Sequence, residues 1–258
     1  MIKLYCQNEN VLLDAQKLVA FTNQVTCCVA AEISDEIYLF YTNDGLEVRS
    51  LNFKPLRLNE FYHDFIKKRS SLLSKENLLQ ALNCNKLKTT TELSALDLTG
   101  GLGRDALILG LAGFKVTVVE RNLYLACILN YLAIIIKGVI PHFEVIYQDS
   151  CNYLGSNQAE FTCIYYDPMF EDNKKALSKK DMQLIDLFVN YEQSTMNKID
   201  NSVIYQLAKQ CCHKLVVKRD NKQEFFISQI KPTYQKIGKT VRFDVYQGDV
   251  SLTDLMVN

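Results

Sequence analysis

From residue 92 to residue 218, short apolar runs alternate with helical patterns, and this alternation limits the possible folds more than any other property of the 258-residue sequence. The apolar runs cover 95–98, 115–119, 143–147, 163–166 and 214–218. The helical patterns cover 105–112, 122–137, 180–190 and 202–210. Such a succession predicts a parallel sheet covered by helices on both faces. Residues 240–246 alternate apolar and polar side chains, which predicts a late antiparallel strand.

The first part of the chain has a different pattern. Two strand-like runs, 36–41 and 46–51, flank Asn43-Asp44-Gly45, whose residue types favour a hairpin turn. A helical pattern follows from 59 to 82 and ends near Asn83. We therefore predict three parts: a β-rich unit over 1–60, a helical linker over 61–91 and the main α/β domain over 92–258.

Composition excludes several classes of protein. The 29 basic and 29 acidic side chains give a formal net charge of zero, so any contact with nucleic acid needs a local basic patch. The nine cysteines lack zinc-ligand spacing, and we predict no metal site. Residues 1–5 lack the apolar core of a signal peptide, and the apolar stretch 128–140 is too short to span a bilayer. A cytoplasmic protein with no membrane association is expected.

A glycine-rich turn, residues 97–105, lies between the first predicted strand of the main domain and the helix after it. Glycines allow a sharp turn and close approach of the backbone to a ligand, and the helix start offers free N–H groups. The turn suits a sulfonium cofactor, whose cationic methionyl end Asp97 could serve. It also fits the dinucleotide fingerprint G-x-G-x-x-G/A. Glu120 ends the second strand and could bind ribose hydroxyls in either case.

A second motif, Tyr166-Asp167-Pro168-Met169-Phe170, follows the fourth strand. Acceptors at Asp167 and the neighbouring carbonyl could hold the hydrogens of an exocyclic amine so that its lone pair points at a methyl donor. Pro168 stiffens the turn, and Phe170 could stack on an extruded base. An isolated Asp-Pro pair would merely start a turn, but its place after this strand favours the catalytic interpretation.

Basic residues surround this motif. We predict that Lys174, Lys175, Lys179, Lys180 and Lys218 receive RNA phosphates beside the target base. The alternative is an ordinary solvated lysine face.

Four blocks together resemble the ribosomal RNA small subunit methyltransferase J family: 96–106, 119–122, 166–170 with 175–182, and 216–219 with 242–246. Residues 45–65 are similar as well. Members of that family methylate N2 of guanosine 1516 near the 3′ end of 16S rRNA. The resemblance implies a class I, Rossmann-like fold with a seven-stranded, mostly parallel sheet. It also implies S-adenosylmethionine as cofactor, and 16S rRNA or the small ribosomal subunit as partner, in ribosome biogenesis.

The same resemblance implies a cofactor site formed by Arg104, Asp105, Glu120, Arg121, Asp149, Ser150 and Asp167. In that site Asp105 would bind the methionyl end and Glu120 the ribose hydroxyls. Arg121 would flank the adenine, and Asp149 would reach the adenine amine with Ser150 beside it. The residues alone leave two other functions open, a nicotinamide-dependent oxidoreductase and a non-catalytic RNA-binding or assembly module.

Overall fold

The N-terminal part of the chain forms its own sheet. The computed structural model describes residues 2–51, 53–83, 92–168 and 200–251. The strands of this sheet are β1 (Ile2–Cys6), β2 (Val25–Val29), β3 (Ile37–Thr42), β4 (Gly45–Ser50) and β5 (Phe53–Arg57), and helix α1 (Leu12–Leu18) follows β1. Their order is β2-β1-β3-β4-β5, with β1 parallel to both β2 and β3.

The predicted hairpin is confirmed, with each strand shifted by one residue. Strands β3 and β4 pair antiparallel from Ile37↔Ser50 to Thr42↔Gly45. The connection consists of Asn43 and Asp44 alone, because Gly45 already belongs to β4 and has a φ of +118° that favours glycine. The sequence did not reveal β1, β2 or β5, so the predicted hairpin is only two strands of a five-stranded sheet.

The helical pattern over 59–82 is two helices, and its prediction as one continuous stretch is wrong. They are α2 (Leu58–Ser70) and α3 (Asn77–Leu82), separated by a short 3-10 turn. The hydroxyls of Ser70 and Ser71 donate to carbonyls one turn earlier, a contact that competes with the regular helical pattern. Asn83 adopts a left-handed conformation that ends α3, where the sequence predicts a break.

The main domain is built on a seven-stranded sheet. Its strands are β6 (Ser94–Asp97), β7 (Lys115–Glu120), β8 (Phe143–Tyr147), β9 (Phe161–Tyr166), β10 (Cys212–Asp220), β11 (Tyr234–Ile237) and β12 (Val241–Gln247). The order is β11-β12-β10-β9-β6-β7-β8; β6 to β10 run parallel, and β12 is antiparallel to β10 and β11. The predicted seven-stranded, mostly parallel sheet and the late antiparallel strand are confirmed.

Four described helices of the main domain cover this sheet together with α3, which packs against β10, β11 and β12. They are α4 (Arg104–Leu111), α5 (Leu123–Ile135), α6 (Ser150–Ser156) and α7 (Asn201–Gln210). The predicted helix over 180–190 lies outside the described residues. Alternate side chains of one strand enter different cores: Val216 joins the core with α4 and α5, and Leu215 the core with α6 and α7. Burial on both faces explains why the parallel strands are almost continuously apolar.

The larger core joins the two sheets. It contains Leu39 of the N-terminal sheet, Tyr62 of α2 and Leu129 of α5, all buried together. Helix α2 packs against β4 on one side and against α4 and α5 on the other. The N-terminal sheet therefore buries its apolar face against the domain that carries the glycine turn.

None of the helices in the described ranges combines the length and apolar character needed to cross a bilayer. The most apolar of them, α5, has nine buried residues and belongs to the core.

Candidate active site

The glycine turn begins at the end of β6 and leads into α4. Gly101 and Gly103 both have left-handed backbones, with φ of +52° and +70°. A Cβ built on Gly103 would lie 2.7 Å from Cδ2 of Leu132, so this position needs glycine for its conformation and for its space. A Cβ on Gly101 would meet nothing nearer than the Thr99 carbonyl oxygen at 3.8 Å. The turn is thus packed on one side and open at Gly101.

Asp97 closes the base of the turn. Its side chain is only 1% exposed, and Oδ1 accepts a hydrogen bond from the Thr99 backbone N–H at 2.9 Å. Burial raises the pKa of Asp97 to about 8, an effect that the Thr99 N–H opposes and that the nearby carboxylates of Asp105, Asp167 and Glu120 reinforce. Burial therefore favours the protonated form of the Asp97 carboxyl in this arrangement.

Glu120 ties the turn to the end of β7. Its Oε2 accepts from the Gly101 N–H and its Oε1 from the Asn122 N–H, each at 2.8 Å. Burial raises the pKa of Glu120, while these backbone donors oppose the rise. The structure thus brings Glu120 against the glycine turn, and Arg121, partly buried, follows it directly.

An ionic cluster lies where β9 and β10 end. The Lys218 ammonium contacts Oδ2 of Asp167 at 2.7 Å and Oδ2 of Asp105 at 3.2 Å. The Tyr165 hydroxyl donates to the same Asp105 oxygen at 2.6 Å. Burial raises the pKa of Tyr165 well above its ordinary value, so this hydroxyl stays a donor. Of the residues predicted to act at the site, the structure brings Asp105, Asp167 and Lys218 into direct contact.

The Asp-Pro motif touches the glycine turn. The backbone N–H of Asp167 donates to Oγ1 of Thr99 at 2.8 Å. Burial raises the pKa of Asp167, Lys218 opposes that rise, and Asp105 adds to it. Pro168 is buried. Phe170 and the four lysines Lys174, Lys175, Lys179 and Lys180 lie outside the described residues, so their predicted roles stay predictions.

The loop after β8 supplies Asp149 and Ser150. Asp149 caps α6, its Oδ1 accepting from the N–H groups of Cys151 at 2.9 Å and Asn152 at 3.2 Å. The Ser150 hydroxyl donates to the Leu98 carbonyl at 2.6 Å. Asp149 therefore fixes the start of α6, and Ser150 holds it beside the end of β6.

Two contacts from α2 support the glycine turn, and no sequence pattern predicts either of them. The buried Tyr62 hydroxyl donates to the Leu102 carbonyl at 3.0 Å. The Arg104 guanidinium lies 5.2 Å from the centre of the Phe61 ring. A tyrosine in a helix looks like any core residue in the sequence, because its partner is 40 positions away. Thr99 and Tyr165 also make contacts at the site that the sequence motifs do not predict.

No group of three or more His, Cys, Asp or Glu side chains in the described ranges is arranged to hold a metal ion.

The fold and this site define a class of protein. Residues 25–248 match the sequence model of the SAM_MT family of SAM-dependent methyltransferases. A crystal structure of a SAM-dependent methyltransferase from Neisseria gonorrhoeae has the same fold, with a TM-score of 0.70, 18% identity and coverage of 98% of each chain. The chain is a SAM-dependent methyltransferase with the predicted class I fold. This settles the choice between a sulfonium cofactor and a dinucleotide that the glycine turn left open.

Two relatives narrow the class. Over 221 residues the chain is 32% identical to ribosomal RNA small subunit methyltransferase J of Francisella tularensis subsp. novicida, which covers 81% of this chain and 86% of the relative. It is 33% identical over 220 residues to the protein of the same name from Francisella philomiragia subsp. philomiragia, covering 82% and 88%. The chain belongs to the ribosomal RNA small subunit methyltransferase J family, as its four sequence blocks predicted.

Proposed function

We propose that this chain transfers a methyl group from S-adenosylmethionine to the exocyclic N2 of guanosine 1516 in 16S rRNA. The observation that carries the proposal is the junction between the two motifs. The Asp167 N–H bonds to Thr99 in the glycine turn, and Lys218 joins the Asp167 and Asp105 carboxylates. An acceptor for the amine therefore lies beside the turn that would hold the methyl donor.

The residues at the turn fit S-adenosylmethionine. Gly101 leaves open space against the backbone, and the Asp105 side chain, 25% exposed, offers a carboxylate to a cationic ligand. When bound, the cofactor supplies a methyl group activated by a sulfonium. We assign Asp105 and the N–H groups at the start of α4 to the methionyl end and Glu120 to the ribose hydroxyls.

The remaining cofactor contacts follow the order of the strands. Arg121, after β7, would flank the adenine, and Asp149 and Ser150, after β8, would lie at its amine. Arg104 would contribute at the start of α4, where Phe61 orients its guanidinium. The carboxyl ends of β6, β7 and β8 meet at one side of the sheet, which is where ligands bind in folds of this kind.

The target amine is a poor nucleophile because its lone pair is delocalised into the guanine ring. In the proposed reaction Asp167 accepts a hydrogen bond from the amine and favours a pyramidal nitrogen. Nitrogen then bonds to the methyl carbon, the electron pair of the broken carbon–sulfur bond stays on sulfur, and one amine proton leaves through Asp167 to water. Pro168 holds the turn rigid, so much of the rate comes from orientation. Asp167 must be ionised so that one carboxylate oxygen accepts from the Lys218 ammonium and the other accepts from the amine.

The rRNA would be held by groups around this acceptor. Phe170 would stack on the extruded guanine, and Lys174, Lys175, Lys179 and Lys180 would contact the neighbouring phosphates. A net charge of zero requires such a local basic run, because the protein as a whole does not attract RNA. An rRNA substrate also places the proposed activity in the cytoplasm.

Mass spectrometry of small-subunit rRNA nucleosides tests the proposal. Cells lacking this protein should lose one N2-methylguanosine, and the wild-type protein should restore it. Asp167→Ala should fail to restore it while binding RNA with near-normal affinity. Asp14→Ala, a change at an exposed side chain of α1, is the control and should restore it. Restoration by Asp167→Ala would refute the catalytic role, and an unchanged nucleoside profile without the protein would favour a non-catalytic RNA-binding module.

A further inference from the structure

The sequence predicts Lys218 as a phosphate contact, but the structure places its ammonium inside the acidic cluster. The side chain is 24% exposed and contacts one carboxylate oxygen of Asp167 and one of Asp105. Burial alone would lower the pKa of Lys218, but the two aspartates raise it above its ordinary value. A phosphate could bind the Lys218 ammonium only if the ammonium left Asp167 and Asp105, and these two partly buried carboxylates would then lack their cation.

We propose that Lys218 is a positioning residue that fixes the orientation and the negative charge of the Asp167 carboxylate. The proposal rests on the proposed function in one respect, namely that Asp167 receives the target amine. Lys218 itself touches neither the amine nor the methyl donor in this account and acts through Asp167.

The division of contacts between the two Asp167 oxygens supports this role. Oδ2 accepts from Lys218 at 2.7 Å, and the backbone N–H is held by Thr99 at 2.8 Å. Among the described residues, no donor contacts Oδ1. Two fixed points orient the residue, and one carboxylate oxygen remains for the amine. The Asp167 side chain is 29% exposed, so an incoming base can reach it.

The charge balance around Asp167 gives the second argument. The ionisable groups that face it come from four elements: Asp97 of β6, Asp105 of α4, Tyr165 of β9 and Lys218 of β10. Two of them, Asp97 and Asp105, are carboxylic acids, Lys218 is the cation, and Tyr165 is a neutral donor turned to Asp105. Burial and Asp105 both favour the protonated form of Asp167, and Lys218 is the group that opposes them. A protonated Asp167 would donate a hydrogen where the amine needs an acceptor.

Lys218→Met removes the charge and keeps a long side chain, Lys218→Arg keeps the charge, and Lys222→Met changes an exposed lysine of the next loop as a control. The first measurement is a carbon-13 NMR titration of the Asp167 carboxyl in cofactor-free protein, assigned with Asp167→Asn. Removing an ion pair at this distance should raise the pKa of Asp167 by about 1–3 units. Lys218→Arg should keep the pKa of Asp167 close to its wild-type value, and Lys222→Met should leave that pKa unchanged.

The second measurement is the pH profile of single-turnover methyl transfer to rRNA. In Lys218→Met the acidic limb of the profile should move to higher pH by the same amount. On that limb the rate should fall about tenfold for each unit of the pKa shift, and it should recover as the pH rises. RNA affinity and its salt dependence should match those of the wild type. An unchanged pKa of Asp167 in Lys218→Met would overturn the proposal. A decrease of about one in the slope of log RNA affinity against log salt concentration would also overturn it, because such a decrease marks a lost phosphate contact. Absence of methyl transfer by the wild type would refute the proposed function, while the NMR titration would still decide the role of Lys218.

Discussion

Asp97→Asn is expected to stabilise the cofactor-free protein at neutral pH, by an amount that grows as the pH rises. Asp97 is 1% exposed, and burial raises its pKa from 3.8 to about 8. Between these values the folded protein binds a proton that the unfolded chain releases, so its stability falls as the pH rises. Asparagine carries no titrating group and removes this dependence, yet its side-chain oxygen can still accept from the Thr99 N–H.

The size of the effect follows from the shift. One pKa unit corresponds to about 1.4 kcal/mol. A carboxyl whose pKa is 3.8 in the unfolded chain and about 8 in the fold therefore lowers the free energy of unfolding by up to about 4 kcal/mol at pH 7. The cost is absent near pH 4 and complete above pH 8. The difference in free energy of unfolding between variant and wild type should therefore be close to zero at pH 4 and rise to a plateau above pH 8.

Urea unfolding at several pH values between 4 and 8.5 measures this difference. The chain has no tryptophan and 14 tyrosines, so tyrosine fluorescence together with circular dichroism follows the transition. Asp14→Asn, a change at an exposed aspartate, controls for the substitution itself. A difference that does not change with pH, or a variant less stable than the wild type at pH 8, would refute the account of Asp97 as a buried protonated acid.

Other substitutions test how the glycine turn is supported. Gly103→Ala should cost about 2–4 kcal/mol and abolish cofactor binding, because it combines a left-handed backbone with a Cβ 2.7 Å from Leu132. Gly113→Ala, with a φ of +95° but nothing within 4 Å of its Cβ, should cost only about 1–2 kcal/mol; equal losses in urea unfolding would contradict the role of space at Gly103. Tyr62→Phe should lower the free energy of unfolding by about 1 kcal/mol and weaken S-adenosylmethionine binding, measured by calorimetry. If neither value changed, the Tyr62 hydrogen bond to Leu102 would not support the turn.

The order of elements in the main domain could be predicted because each depends on a local pattern. Strands buried on both faces require continuous apolar runs such as 215–217, and β10 extends the predicted strand 214–218 to Cys212–Asp220. The N-terminal sheet was harder to predict. Strand β1 has no turn residues before it, and it pairs in parallel with β2 and β3, which no local turn signals.

The sequence motifs predict which residues form the site, but they do not predict how those residues contact one another. The motifs identify Asp105, Asp167 and Lys218, but Lys218 lies 113 positions from Asp105 and 51 from Asp167. Whether a lysine at a strand end points to solvent or between two carboxylates depends on the register of β9 against β10. That register is fixed by packing of the whole sheet, so the local sequence does not distinguish a phosphate contact from an ion pair within the site.

The central claim, methyl transfer to guanine N2 at the Asp167 turn, is tested most directly by reaction of the purified protein with methyl-labelled S-adenosylmethionine and either 16S rRNA or small ribosomal subunits lacking the modification. After digestion to nucleosides, the label should be found in N2-methylguanosine, at one equivalent per rRNA, and should be absent with Asp167→Ala. Label in a different nucleoside, or no label from wild-type protein that binds both the cofactor and the RNA, would contradict the account.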